Sequence, residues 1–265
     1  MVYSAPVTSA KAGGPVPRGL GIESRLWRDW IPASAGMTEL RRRESERILG
    51  NWYIAMEVCM TYIIAGFGRF GRLALERLLK RKPESHIVVV DDRADLADVQ
   101  QFPHVAGVCG DAAEFLIQSA FLDEDDIVIP MVPFHLAAAY VLARDPAIRE
   151  TALPPALDAL LPNPVRLNPS TVTCSRADFV CPDNCPEDDV CSVTGEPRLE
   201  PLHKAIEQLK LSKCNIVVQR SYQILPGVGG YPFGELDRLP ALITKGKNAL
   251  ATSCRCHGIL TGLER

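Results

Sequence analysis

Two groups of residues have types and spacings that could do chemistry. The first is Gly66-Phe67-Gly68-Arg69-Phe70-Gly71, a Gly-x-Gly-x-x-Gly run. Each glycine has its own expected task. Gly66 permits a tight turn, Gly68 lets the backbone approach a pyrophosphate, and Gly71 lets the following helix pack on the preceding strand. The start of that helix offers unpaired N–H groups and a positive dipole end to phosphates. About 20 residues beyond the glycines stand Asp91 and Asp92, where a carboxylate can accept from ribose hydroxyls. A carboxylate there repels a 2′-phosphate, which favours NAD over NADP, and Arg93 beside it softens the preference. Loop capping is the structural alternative for Asp91 and for Asp111.

The second group is cysteine-rich. Cys181-Pro182-Asp183-Asn184-Cys185-Pro186 continues to Cys191, giving C-x3-C-x5-C, and Cys254-Arg255-Cys256-His257 stands near the other end. Turn-forming residues between close cysteines let a chain fold several thiolates around one metal. Three ligands from Cys181, Cys185 and Cys191, with one from Cys254, Cys256 or His257, would make a tetrahedral site. Zinc is the first choice. A 4Fe–4S cluster is the second, because Cys-Pro pairs also occur at cluster ligands. A disulfide fits less well in a chain without an export signal, and unligated thiols are the bland alternative. Cys59, Cys109, Cys174 and Cys214 read as ordinary core or surface residues, with Cys174 the nearest to the cluster in sequence.

The elements that must position these residues alternate regularly. An apolar strand, Tyr62–Ala65, enters the glycine run. A helix follows over about 70–82, with Leu73, Leu75, Leu78 and Leu79 as its apolar positions and Pro83 closing it. Further strands are expected at Ile87–Val90, Val105–Val108 and Asp126–Met131, with helices over 94–101, 112–119 and 134–142. Such a pattern demands right-handed crossovers and a parallel sheet, with ligands outside the carboxyl ends of the strands. The expected fold is α/β, a Rossmann-like doubly wound parallel sheet with a cysteine-rich insertion. Residues 60–145 form the nucleotide-binding half and 146–198 the Pro/Cys-rich insertion, with a short helix over 156–161. Residues 199–265 form a C-terminal α/β half, with helices over 199–211 and 236–245, the second interrupted by Pro240. Strands at Asn215–Gln219 and Ala249–Thr252 are expected to complete a six-stranded sheet. If the first of these is parallel to the others, the loop Pro226–Tyr231 falls at the ligand edge and the cysteines fall near the nucleotide crevice.

The glycine run, Asp91 after the second strand, and Gly110-Asp111-Ala112 after the third resemble the TrkA-N (RCK) nucleotide-binding domain of potassium uptake and channel regulators. The acidic turn Asp123–Asp126 fits the same pattern. By that resemblance the glycines hold the pyrophosphate, Asp91 takes the adenosine ribose and Asp111 lies near the adenine. The resemblance implies NAD(H), or ATP or ADP, bound as a regulatory ligand without chemistry. It also implies a transporter or channel subunit as partner, and a homodimer, since related domains pair. The cysteine segment and the Cys-Arg-Cys-His tail together resemble a group of bacterial NAD-binding proteins that pair a TrkA-N-like half with this signature.

Composition bounds the alternatives. Nearly half of the 265 residues are hydrophobic, enough for a sizeable core, and a net charge of −3 gives no basic footprint for nucleic acid. There is neither a signal-peptide core nor a membrane-length apolar run, so a cytoplasmic protein is expected. Residues 1–58 do not read as part of a fold. Trp30–Thr38 resembles the translation of a dispersed bacterial repeat found at mis-called gene starts, which would put the start at Met56 or Met60. The alternative is an arm whose Arg41–Arg43 touch a partner. A regulatory NAD(H)-binding protein is favoured over an enzyme. No Tyr-x-x-x-Lys pair is present, and His135 and His203 stand alone, as surface or capping residues. The alternative is an NAD-dependent oxidoreductase using a cysteine-bound cluster or metal, and a third reading is an interaction module whose metal only stabilises the fold.

Overall fold

The computed structural model describes residues 60–92, 96, 99, 101–198 and 200–265, which belong to one compact unit, Met56–Arg265. The expected N-terminal extension, Cys59, Arg93 and most of the helix expected over 94–101 lie outside the described residues. No described helix is long and apolar enough to cross a membrane.

Strand β1 (Thr61–Ala65) is central because its side chains are apolar on both faces. Ile63 and Ile64 are fully buried in separate core clusters on opposite faces. Each such burial stabilises by about 1.5–3 kcal/mol relative to exposure. Helix α1 (Arg69–Arg81) buries Gly71, Ala74, Leu75 and Leu78. Lys80 and Arg81 in its last turn complement the dipole, and no acidic residue occupies its first turn. Strands β2 (His86–Asp91), β3 (Val105–Cys109) and β4 (Ile127–Pro130) run parallel to β1 in the order β3-β2-β1-β4. Helices α2 (Ala112–Gln118) and α3 (Leu136–Arg144) cover the face opposite α1. Before β4, Asp126 is buried and its carboxylate accepts from the backbone N–H groups of Thr61 and Asp123 at 2.7 and 2.9 Å.

Beyond α3 the arrangement departs from expectation. The strands expected at 215–219 and 249–252 do not complete the first sheet. They are β8 (Cys214–Arg220) and β11 (Lys247–Ser253), parallel neighbours in a second sheet. That sheet runs β6 (Val165–Asn168), β7 (Thr171–Ser175), β12 (His257–Glu264), β11, β8, with the short β5 (Arg149–Glu150) pairing β12. The first sheet is completed instead by a hairpin, β9 (Tyr222–Leu225) and β10 (Val228–Pro232), with β10 antiparallel to β4. The loop expected at 226–231 is thus the turn and second strand of this hairpin.

Helix α5 (Phe233–Leu242) contains Pro240 instead of ending at it. It joins α2 and α3 in a core shared with Val217, Leu250 and Leu263 of the second sheet. The far face of that sheet is covered by a 3₁₀ helix (Pro155–Leu160) and by α4 (Leu202–Glu207), shorter than the pattern over 199–211 suggested. His135 ties the layers together. It is buried at the start of α3 and its ring nitrogens bond the hydroxyls of Thr261 on β12 and Thr252 on β11, at 2.9 and 2.8 Å. It is therefore not a surface residue, and neither is His203, which is buried on α4.

Candidate functional site

The glycine turn has the geometry its sequence calls for. Gly66 adopts φ +102°, where a side chain is strained, and a Cβ there would stand 2.6 Å from the Met131 carbonyl oxygen. A Cβ on Gly71 would stand 2.0 Å from the Gly66 carbonyl oxygen, so the helix reaches the strand only with hydrogen at that position. A Cβ on Gly68 would meet nothing within 4 Å. Gly68 is the N-cap of α1 and supplies no side-chain cap, so the helix start is free to take an anion. Gly68, Arg69 and Phe70 are exposed around it, and the Arg72 guanidinium lies 4.4 Å from the centre of the Phe67 ring.

Asp91 ends β2 beside this turn. Its Oδ2 accepts a hydrogen bond from the Phe67 backbone N–H at 2.6 Å. The carboxylate therefore fixes the glycine turn from the neighbouring strand. Asp92 follows it, exposed. The Gly110 N–H donates to the Asp91 carbonyl at 3.2 Å, which brings the ends of β2 and β3 together. Asp111 takes the capping role: it is the N-cap of α2, its Oδ1 accepting from the Glu114 N–H at 2.9 Å.

The second group also assembles. Cys181, Cys185, Cys191, Cys254, Cys256 and His257 all line one open cavity of about 510 Å³. Cys254 to Cys256 form the turn between β11 and β12. The Cys181 sulfur lies 3.6 Å from His257 Nε2, and the Cys254 sulfur 3.9 Å from Nδ1 of the same ring. All described cysteines are free thiols. The four-donor tetrahedron expected from the spacing is not formed. Among the described residues no three His, Cys, Asp or Glu side chains converge on one ion position. An arginine stands among the thiols, the Arg198 Nη2 donating to the Cys185 sulfur at 3.2 Å. The thiols differ in acidity. Backbone N–H groups of Thr194 and Val193 hold the Cys191 thiol down at about 7, whereas burial pushes Cys254 up to about 12 and raises Cys181 and Cys256 as well.

This cavity adjoins the glycine turn. Phe70 lines it, and Arg69 forms an ion pair with Asp183 between the first two cysteines, at 2.7 Å. Arg77 of α1 donates to the carbonyls of Asp183 and Pro226, at 2.7 and 2.6 Å. The Cys185 carbonyl accepts from the Gly227 N–H and the Gln223 amide, at 2.9 and 2.8 Å. A Cβ on Gly227, at φ +72°, would fall 1.6 Å from the Asp183 carbonyl oxygen. The Cys181–Cys185 loop is thus fastened between α1 and the β9–β10 hairpin. Arg77, Asp183 and Arg198 were not among the residues singled out in the sequence. They hold the loop by long-range contacts that no spacing rule encodes.

Residues 131–265, more than half of the chain, match the family model described as "Uncharacterized protein, C-terminal domain". The chain belongs to that family. Residues 62–139 match the TrkA-N domain. An "Uncharacterized protein" of Archaeoglobus fulgidus is 27% identical over 229 residues, covering 77% of this chain and 99% of the relative. No solved structure matches the chain significantly. The TrkA-N match runs from β1 into α3 and holds the whole glycine turn. All six candidate metal ligands fall within the C-terminal family match, as does the hairpin that completes the first sheet.

Proposed function

We propose that the chain binds NAD(H) at the carboxyl ends of β1 and β2, as a regulatory ligand. One observation carries this reading: within a TrkA-N domain, an uncapped helix start faces open space at Gly68 beside the Asp91 carboxylate. The pyrophosphate would sit on the N–H groups of residues 68–71, and Asp91 would accept from the ribose while still holding Phe67.

A ligand regulates only if it interacts differently with two states. Arg69 supplies such a difference. Its ion pair with Asp183 is solvent-exposed, with side chains 76% and 42% accessible, and such a pair contributes at most about 1 kcal/mol. A bound pyrophosphate competes with Asp183 for this guanidinium, and the cysteine loop loses one of its fastenings. The TrkA-N likeness supports a potassium transporter or channel subunit as the partner that reads the change, a homodimer as the working form and the cytoplasm as its place.

The test is calorimetric titration of the full chain with NADH, NADPH and ATP. NADH is expected to bind more tightly than NADPH, because Asp91 repels a 2′-phosphate. Absence of saturable heat with every nucleotide would overturn the reading. A second reading, an NAD-dependent oxidoreductase, is favoured by Phe70 lining the cysteine cavity. It requires NADH oxidation by an added electron acceptor, whereas the regulatory reading expects binding without turnover.

A further inference from the structure

The cysteine cavity combines two features that need a common explanation. The Cys181 thiol lies within electrostatic reach of those of Cys185, Cys191 and Cys256, Cys256 within reach of Cys185, and Arg198 within reach of Cys185, Cys191 and Cys256. Arg198 donates to one sulfur, yet its Nε and Nη1 are buried without a hydrogen-bond partner, as is Nε of Arg255 on the same wall. A buried donor left unpaired costs about 1–3 kcal/mol. These atoms therefore call for acceptors. Cys191 adds a third sign. It opens a small hairpin in which Val190 bridges Pro197, and the N–H groups of Val193 and Thr194 converge on its sulfur. Such a concavity of N–H groups fits a thiolate, and similar ones occur at iron–sulfur sites.

Three kinds of occupant can be compared. An oxoanion would satisfy the arginines and leave the four thiols unexplained. A single zinc ion, bound at about 2.3 Å from each sulfur, would draw the sulfurs to within about 4 Å of one another. Among the described residues no group of three or more His, Cys, Asp or Glu is placed to hold one ion, and a guanidinium in their midst repels a dication. An iron–sulfur cluster holds its thiolates farther apart, carries net negative charge with four of them, and offers sulfide acceptors to nearby donors.

We propose that this cavity takes an iron–sulfur cluster held by Cys181, Cys185, Cys191 and Cys256, with Arg198 donating to its sulfur atoms. This inference stands apart from nucleotide binding. Its test uses the full chain purified without oxygen and reconstituted with ferrous iron and sulfide under a thiol reductant, with zinc offered to a parallel sample. The expected result is iron with acid-labile sulfide, a broad visible absorption, and a paramagnetic signal on reduction with dithionite. Cys191→Ser and Cys256→Ser are expected to lose the colour, and Cys109→Ser, on the exposed end of β3, to keep it. Arg198→Ala is expected to lower iron affinity at least about tenfold. Circular dichroism and thermal unfolding of each variant report whether it has folded, and a separate NADH titration tests the other reading. Bound zinc without sulfide, no metal after reconstitution, or retained colour in Cys256→Ser would each overturn the proposal.

Discussion

At the residue scale, Gly71 and His135 show how a single atom or proton can govern the fold. Gly71 has no room for a methyl group against the Gly66 carbonyl. Gly71→Ala must push helix and strand apart, at a cost of about 1–3 kcal/mol, which chemical denaturation of the two proteins would measure. His135 is a titration argument. Burial pushes its imidazole down to about 3, whereas an unfolded histidine titrates near 6.5. Between those values the unfolded chain binds a proton that the folded chain does not. Stability attributable to His135 is therefore complete above about pH 6.5 and falls on acidification, by up to about 1.4 kcal/mol per pH unit. Other histidines contribute in the same sense, so the informative quantity is a difference. His135→Gln should unfold with a shallower pH dependence than the natural chain between about pH 4 and 6.5. Identical slopes would remove His135 as the cause. The roles of Gly66, Gly68 and Gly71 were legible in the sequence because each is set by its immediate neighbours. The burial of His135 was not, because its partners lie more than a hundred residues away on strands of another sheet.

At the element scale, the Cys181–Cys185 loop is the connecting piece between the glycine turn and the cysteine cavity. Asp183 holds Arg69 by its carboxylate, while its carbonyl holds Arg77. Asp183→Ala removes only the first contact. It should change stability by less than about 1 kcal/mol and, by releasing Arg69 to the phosphates, tighten NADH binding by up to about fivefold. Weaker binding in this variant would contradict the competition for Arg69. The cysteines are legible in the sequence, and the groups they lean on are not. The β9–β10 hairpin contains Gly227, Gly229 and Gly230, which weaken a strand pattern, and so resembled a flexible turn. Gly230 is there because a Cβ would stand 2.8 Å from the Val128 carbonyl oxygen of β4. Glycine here marks close packing in a sheet. The same disguise hid β12, where a Cβ on Gly262 would lie 2.2 Å from the Thr151 carbonyl oxygen.

At the scale of the whole molecule, the first four parallel strands and their helices followed from local alternation of strand and helix, although the crossover from β3 to β4 passes over β2 and β1. The second sheet did not. Strands β8 and β11 are apolar, parallel and linked through a helix, which is also how a continuation of the first sheet would look. Their separation is decided by the β9–β10 hairpin taking the edge of β4, a long-range choice that periodicity does not carry. The chain crosses between its two sheets more than once, and α2, α3 and α5 share one core with both. The glycine turn of one sheet and the cysteine cavity beside it thus belong to one structural unit.

The central claim for the molecule is that a dinucleotide lies in the open space at Gly68. Gly68 has an ordinary φ of −72°, and a Cβ there would touch nothing, so Gly68→Ala leaves the fold intact while placing a methyl group against an incoming pyrophosphate. Calorimetric titration of NADH into the natural chain and this variant, with thermal unfolding of both, is the most direct measurement. Saturable binding to the natural chain is expected, with at least about tenfold weaker binding to Gly68→Ala and matching unfolding temperatures. Equal affinity for the two, or no binding to either, would contradict that claim.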